Sequence, residues 1–142
     1  MILGNIATSL WFMPWISKRI HKVRGVDIVS INDLFIGRNV IIDNSHPEYV
    51  RIGRKVTIAT GSIILGHKLH VQCFIKGKIN MMGKMTRLGE GVFIGCNTVV
   101  QAGVKIGKYS IIGPNSTVVK NVEEYAFYSG NPARLIRLLK EK

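Results

Sequence analysis

Four histidines, two cysteines and a set of arginines are the side chains of this chain best suited to chemistry. Histidine is the natural general base, because an unperturbed pKa near 6.5 leaves much of it neutral at pH 7. His21 lies in a basic flank, KRIHKVR, and is expected to be solvated. His46 sits in NSHPEY, a polar segment suited to lining a substrate pocket. His67 and His70 fall in IILGHKLH, an HxxH pair that admits zinc in principle, although the spacing of a three-histidine site is absent. Cys73 and Cys96 form neither a CxxC pair nor a disulfide framework, which points to a reducing compartment. Nothing near Cys96 in sequence lowers its thiol pKa, so it is a poor nucleophile. On residue types alone, a lone histidine is more often structural than catalytic.

What positions these residues is a repeat of period six. From Leu88 the chain divides into LGEGVF, IGCNTV, VQAGVK, IGKYSI, IGPNST and VVKNVE. The first column is Leu88, Ile94, Val100, Ile106, Ile112 and Val118, all aliphatic, as a stack of inward side chains requires. The second column holds Gly89, Gly95, Gly107 and Gly113. The fourth is Gly91, Asn97, Gly103, Tyr109, Asn115 and Asn121; glycine and asparagine tolerate φ > 0, so this column marks a corner in each repeat. The fifth is Val92, Thr98, Val104, Ser110, Ser116 and Val122, small or β-branched residues suited to a tight strand near the axis. Short strand and corner therefore alternate, a pattern that neither helical periodicity nor simple strand alternation produces. The same columns recur at Ile36, Ile42, Ile52, Ile58 and Ile64. Four residues are inserted between Ile42 and Ile52, within IDNSHPEYVR. Residues 66–87 break the columns and are expected to form an irregular loop or a poorly patterned coil.

The chain of 142 residues, 46% hydrophobic, suits one compact domain. A formal charge of +12 favours an anionic partner. The lysines and arginines are scattered over turns and aromatics are only 8%, which argues against nucleic acid. The apolar stretch Ile2–Ile16, with Trp11 and Trp15, lacks a basic leader and a small-residue cleavage site, and it is too short to cross a bilayer. Indoles followed by Lys18, Arg19 and Lys22 are compatible with peripheral membrane contact through residues 2–16. A helix packed on the domain or on another subunit is the favoured reading, and residues 1–25 are expected to be helical. At the other end, Asn131 and Pro132 in YSGNPARLIRLLKEK suit a helix start. Leu135, Leu138 and Leu139 then share a face, and Arg134 and Arg137 lie together. Residues 123–142 are thus expected to form a cap helix.

The hexads over 26–122 resemble those of the hexapeptide-repeat acyltransferases, and GNPAR-L-I-R, carried by Gly130, Asn131, Pro132, Arg134, Ile136 and Arg137, is similar to the ending of sugar and polysaccharide O-acetyltransferases. The resemblance covers about Ile36 to Lys140. It implies an all-β fold, a single-stranded left-handed parallel β-helix working as a homotrimer; the handedness comes from the resemblance alone, since parallel crossovers are ordinarily right-handed. It implies transfer of an acetyl group from acetyl-CoA to a hydroxyl of a sugar or polysaccharide precursor, with no metal. A base must take the acceptor's proton as the bond forms, and backbone N–H groups suit the oxyanion. Aligned on the family's aliphatic–Thr–His stretch, Ile64-Leu65-Gly66-His67 makes His67 that base, with Gly66 standing where the family has Thr or Ser; His70 is its rival or assistant.

By the same resemblance Cys96, Pro114, Val119 and Lys120 line the coenzyme groove, and Arg134 and Arg137 bind its phosphates, with Lys105 and Lys108 as further candidates. Pro114 departs from the family's alanine and has no N–H to offer. Asp43 resembles an acidic residue near the acceptor site, suited to bind a sugar hydroxyl or orient a histidine; a turn aspartate fits the sequence equally well. His46 and His70 are further acceptor-binding candidates. A cytoplasmic location, at the inner membrane face if residues 2–16 touch lipid, is implied. The alternatives are a non-catalytic β-helical scaffold and an acetyltransferase acting on an amine or antibiotic.

Overall fold

The computed structural model describes residues 14–69 and 81–139. His70, residues 1–13 and residues 140–142 lie outside them, so the expectations placed there go no further. Helix α1 (Pro14–Val23) is the one α-helix among the described residues, and the rest is β-structure and turns. Strands β1 (Asp27–Ile28), β2 (Phe35–Ile36) and β3 (Ile41–Ile42) form a first turn of chain, and β4 (Val50–Ile52), β5 (Thr57–Ile58) and β6 (Ile63–Ile64) a second. A third turn comprises β9 (Thr86–Leu88), β10 (Phe93–Ile94) and β11 (Val99–Val100), and a fourth comprises β12 (Lys105–Ile106), β13 (Ile111–Ile112) and β14 (Thr117–Val118). Each turn gives one strand to each of three sheets, β1-β4-β9-β12, β2-β5-β10-β13 and β3-β6-β11-β14, every pairing among them parallel.

The columns of the repeat explain this winding. All six first-column residues are buried, as are all six of the fifth, so the interior is a stack of aliphatic and small side chains. Positive φ falls on Gly91, Asn97, Gly103, Tyr109 and Asn115, as the fourth column predicts, and on Asn39, Lys55 and Gly61 in the earlier turns. Asn121 departs: its Oδ1 accepts the Lys105 N–H at 2.9 Å, and the next positive φ is at Tyr125. The second-column glycines have a different cause. A Cβ on Gly95 would lie 2.6 Å from the Pro114 nitrogen, so successive turns stack at backbone contact there. Two buried hydroxyls are satisfied between turns: Ser62 Oγ donates to Gly95 O at 2.9 Å, and Thr98 Oγ1 to Gly113 O at 3.1 Å.

Two segments leave the winding. Residues 43–49 bulge between β3 and β4 and include a 3-10 turn at Pro47–Tyr49. Strands β7 (His67–Leu69) and β8 (Met81–Gly83) leave it as an antiparallel ribbon.

The expected C-terminal helix is not formed. Strands β15 (Ala126–Gly130) and β16 (Ala133–Leu138) make an antiparallel hairpin instead. Strand β15 extends the second sheet parallel to β13, which leaves an open edge of backbone groups, and β16 folds back to pair with it. A short isolated helix is marginal in water, so the ladder wins over the helical pattern. Gly130, at φ 104°, and the cis Asn131–Pro132 bond form the turn. Leu135 and Leu138, which the helix would have buried together, are exposed.

Candidate active site

The two departures from regular winding meet. Asp43 follows β3 in the third sheet, and Gly66 and His67 follow β6, the adjacent strand of that sheet. The Asp43 carboxylate is 1% exposed and fully engaged. Its Oδ1 accepts the backbone N–H of Ser45 at 3.0 Å and of His46 at 2.9 Å. Its Oδ2 accepts the Gly66 N–H at 2.6 Å and lies 2.6 Å from His67 Nδ1. Burial alone would raise the carboxyl pKa, but the N–H groups of His46 and Gly66, the His67 ring and the Ser45 N–H together hold it below the ordinary value. An ionised carboxylate only accepts, so Nδ1 of His67 carries a proton, and the tautomer so selected has its lone pair at Nε2.

Gly66 is constrained by the same contacts. A Cβ there would lie 2.8 Å from His46 O and 3.1 Å from Tyr49 Cβ. Its N–H is bonded to Asp43, and its carbonyl accepts the Lys84 N–H at 2.7 Å. The departure from Thr or Ser at this position is therefore a packing requirement of the 43–49 bulge. His46 stands edge-on to His67, ring centroids 5.4 Å apart, with its Nδ1 3.2 Å from Glu48 Oε1.

His67 also lines an open cleft of about 350 Å³ with Leu65, Lys68, Leu69, Met81, Gln101 and Ala102. The ribbon forms one wall and the corner after β11 the other. The cleft thus presents a half-buried imidazole with an ionised partner behind it and largely apolar surroundings. That arrangement suits proton abstraction from a bound hydroxyl or amine.

The other candidates lie apart from this cleft's lining. Cys96, Pro114 and Lys120 are exposed and Val119 is half-buried, all at the corners that follow β10, β13 and β14. Arg134 and Arg137 are exposed on β16. On a regular strand, residues three apart face opposite sides. Here Arg134 pairs with Ser129 and Arg137 with Phe127, and the register shifts between them. Phe127 and Ser129 share a face, so the bulge returns both arginines to that face. A bulge, in place of a helical turn, thus puts both on one face.

His21 is a correction: it is buried at 1% exposure, not solvated. Its ring is turned toward the domain from α1, and Arg24 Nη1 lies 3.0 Å from its Nδ1. Sequence reasoning also passed over Arg24. The only signal was a histidine and an arginine three apart near a helix end.

Among the described residues no group of three or more His, Cys, Asp or Glu is arranged to hold a metal ion. No described helix is long and apolar enough to cross a membrane.

Residues 85–120 match the family model "Bacterial transferase hexapeptide (six repeats)". The chain is 33% identical over 97 residues to a putative acetyltransferase, YvoF, of Bacillus subtilis, an alignment covering 68% of this chain and 52% of that relative. It spans about half the length of that curated relative. Its fold is similar to that of a maltose O-acetyltransferase from Clostridium difficile, with TM-score 0.74 at 17% identity over 98% of this chain and 83% of the other. It is also similar to a galactoside acetyltransferase solved in complex with coenzyme A, with TM-score 0.65 at 20% identity over 97% and 81%.

Proposed function

Since the chain carries the hexapeptide repeat of the bacterial transferases and is related to their acetyltransferases, we propose that it transfers an acetyl group from acetyl-CoA to a hydroxyl of a sugar or polysaccharide precursor. The observation that carries this reading is the 2.6 Å contact between His67 Nδ1 and the buried, ionised Asp43. It leaves the other ring nitrogen as a base beside an open cleft. In the step inferred, Nε2 of His67 takes the acceptor hydroxyl proton as its oxygen attacks the thioester carbonyl. The tetrahedral oxyanion collapses, the C–S bond breaks, and the imidazolium returns its proton to the departing coenzyme A thiolate. Asp43 stabilises the transient imidazolium, an ion pair formed only along the reaction path. His46, edge-on to His67, is proposed to help bind the acceptor.

The prism faces support a homotrimer. The outward column of the second sheet is Phe35, Thr57, Phe93, Ile111 and Phe127, in register. Phe35, Phe93 and Ile111 are exposed. That of the third is Ile41, Ile63, Val99 and Thr117. That of the first is charged: Asp27, Arg51, Arg87 and Lys105. In a cyclic trimer each copy meets two neighbours, so two apolar faces are covered and one charged face meets water. The Arg134–Arg137 pair then ends the second face, where a coenzyme lying between subunits would bring its phosphates. The left-handed sense of winding is part of the same proposal.

The test is thiol release from acetyl-CoA across a panel of sugar acceptors. Wild type is expected to turn over, and His67→Ala to lose about 10²- to 10⁴-fold in kcat, the range general-base catalysis supplies. Turnover by His67→Ala equal to wild type would remove the base from the scheme.

A further inference from the structure

We propose that Arg24, at the exit of the N-terminal helix, is a positioning residue that fixes Asp43 behind His67, with buried His21 holding the guanidinium in place. The inference rests on the reading of His67 as base and extends it to a part of the chain outside the repeat.

Strand β3 is the edge of the third sheet, so no further turn of chain covers its outer side. Past that edge the backbone turns into the 43–49 bulge, and Arg24 meets it there. Its Nη2 donates to Asp43 O at 2.8 Å and to Asn44 Oδ1 at 3.0 Å, and its Nη1 donates to Ile42 O at 3.3 Å. The guanidinium thus grips the carbonyls before and after the Asp43 α-carbon, and the side chain that follows. A rigid donor fork suits such a cluster of acceptors better than an ammonium does.

His21 supplies the other half of the arrangement. A guanidinium has no acceptor, so the His21 Nδ1 at 3.0 Å must be the acceptor and its Nε2 must carry the hydrogen. Burial, with the nearby Arg24 charge, lowers the ring's pKa to about 4, which keeps it a neutral acceptor at physiological pH. Nε2 is buried and has no protein partner among the described residues. A histidine that leaves a buried donor unmet is a costly way to fill space, and its lone pair toward Arg24 offsets that cost. The helix thereby acts as a substitute for the missing neighbouring strand. The geometry of Asp43, and through it the tautomer and orientation of His67, depends on an arginine 19 positions upstream.

The experiment reads the dyad directly and through turnover. In ¹⁵N-histidine-labelled protein, the Nδ1–H of His67 bonded to Asp43 gives a low-field proton resonance, assigned by its absence from Asp43→Asn. In folded Arg24→Ala this resonance is expected to be lost or broadened, and in Arg24→Lys weakened. With acetyl-CoA and an acceptor, Arg24→Ala is expected to reduce kcat about 10- to 100-fold, the cost of misplacing a catalytic group by roughly an ångström, with KM for acetyl-CoA within about twofold. The double variant Arg24→Ala/Asp43→Asn is expected to be no slower than Asp43→Asn alone, because the arginine acts through that carboxylate. An unchanged resonance in both Arg24 variants overturns the inference. So does a loss on removing Arg24 that is as large in the Asp43→Asn background as in the wild type. If wild type turns over no acceptor, the acetyltransferase reading fails while the resonance still decides the role of Arg24. Should Arg24→Ala not fold, the lysine variant carries both readouts.

Discussion

The stacked turns and the 43–49/66–67 corner treat buried polar groups in opposite ways. In the turns, small hydroxyls such as Ser62 and Thr98 each donate to a carbonyl of the neighbouring turn. The interior around them is aliphatic, and those hydroxyls are satisfied without any charge. At the corner, a carboxylate is buried and surrounded by four N–H donors, one of which belongs to an imidazole that reaches an open cleft. The turns use their polar groups to close the stack, while the corner holds a charge whose partner can change protonation state. On the proposed reading, regularity carries stability and its interruption carries chemistry.

Shortening a core side chain in the turns is the strongest way to break that contrast. Ile106 is fully buried in the first column. Ile106→Ala is expected to cost about 2–5 kcal/mol of unfolding free energy, the usual range for a large-to-small core change. At temperatures where the variant remains folded, kcat should stay within a few-fold of wild type. Denaturant unfolding beside thiol-release kinetics measures both. A loss of kcat matching that of His67→Ala, in protein that is fully folded, would show that turns and corner are not separable.

Acid unfolding sharpens the comparison at the helix. His21 is neutral in the folded protein down to about pH 4, against an ordinary value of 6.5. Between those values the unfolded chain binds the extra proton, so stability falls as pH drops from 6.5 toward 4. The loss approaches about 3 kcal/mol by pH 4, from roughly 1.4 kcal/mol per pH unit. Asp43 acts in a separate window. Its folded pKa lies below its ordinary value, so its contribution is complete above about pH 4 and fades only below it. His21→Leu is therefore expected to flatten the stability profile between pH 6.5 and 4 and leave the steeper loss below pH 4 in place. Thermal melts at half-unit pH steps read the slope. A wild-type slope unchanged by the substitution would assign the acid sensitivity elsewhere.

Much of the fold was legible because each column of the repeat has one cause. Inward aliphatics, corner residues at positive φ and close-packed glycines all sit where period six puts them, with Asn121 the exception. The C-terminus was not legible, since Leu135, Leu138, Arg134 and Arg137 satisfy helical spacing just as well as a bulged strand. Only the open edge of the second sheet, a property of the assembled fold, decides between them. At the candidate site, the repeat break together with the family resemblance singled out His67, and Asp43 stood only as one of two readings. The Asp43–His67 contact joins residues 24 apart through adjacent strands of one sheet. His21 was misjudged and Arg24 passed over because a basic flank reads as solvated until the helix is seen packed against the edge of the stack.

The smallest effect concerns the arginine pair, and it tests whether the hairpin belongs to the stabilising or the chemical part of the molecule. Arg134 and Arg137 share a face through the β16 bulge and are exposed, so each is expected to add only about 1 kcal/mol to coenzyme binding, near fivefold in affinity. Loss of stability from either alanine variant should be negligible, because neither side chain packs in the core. The affinity loss should shrink as salt rises, since exposed charge pairs are screened within about 8 Å at physiological ionic strength. A donor lacking the 3′-phosphate separates the phosphates: if the pair grips that group, Arg134→Ala/Arg137→Ala and wild type bind the shortened donor equally. If the double variant still binds it more weakly, the arginines act on the diphosphate. Equal binding of full acetyl-CoA by wild type and double variant would return the hairpin to a purely structural role, as the cover of the second sheet's edge.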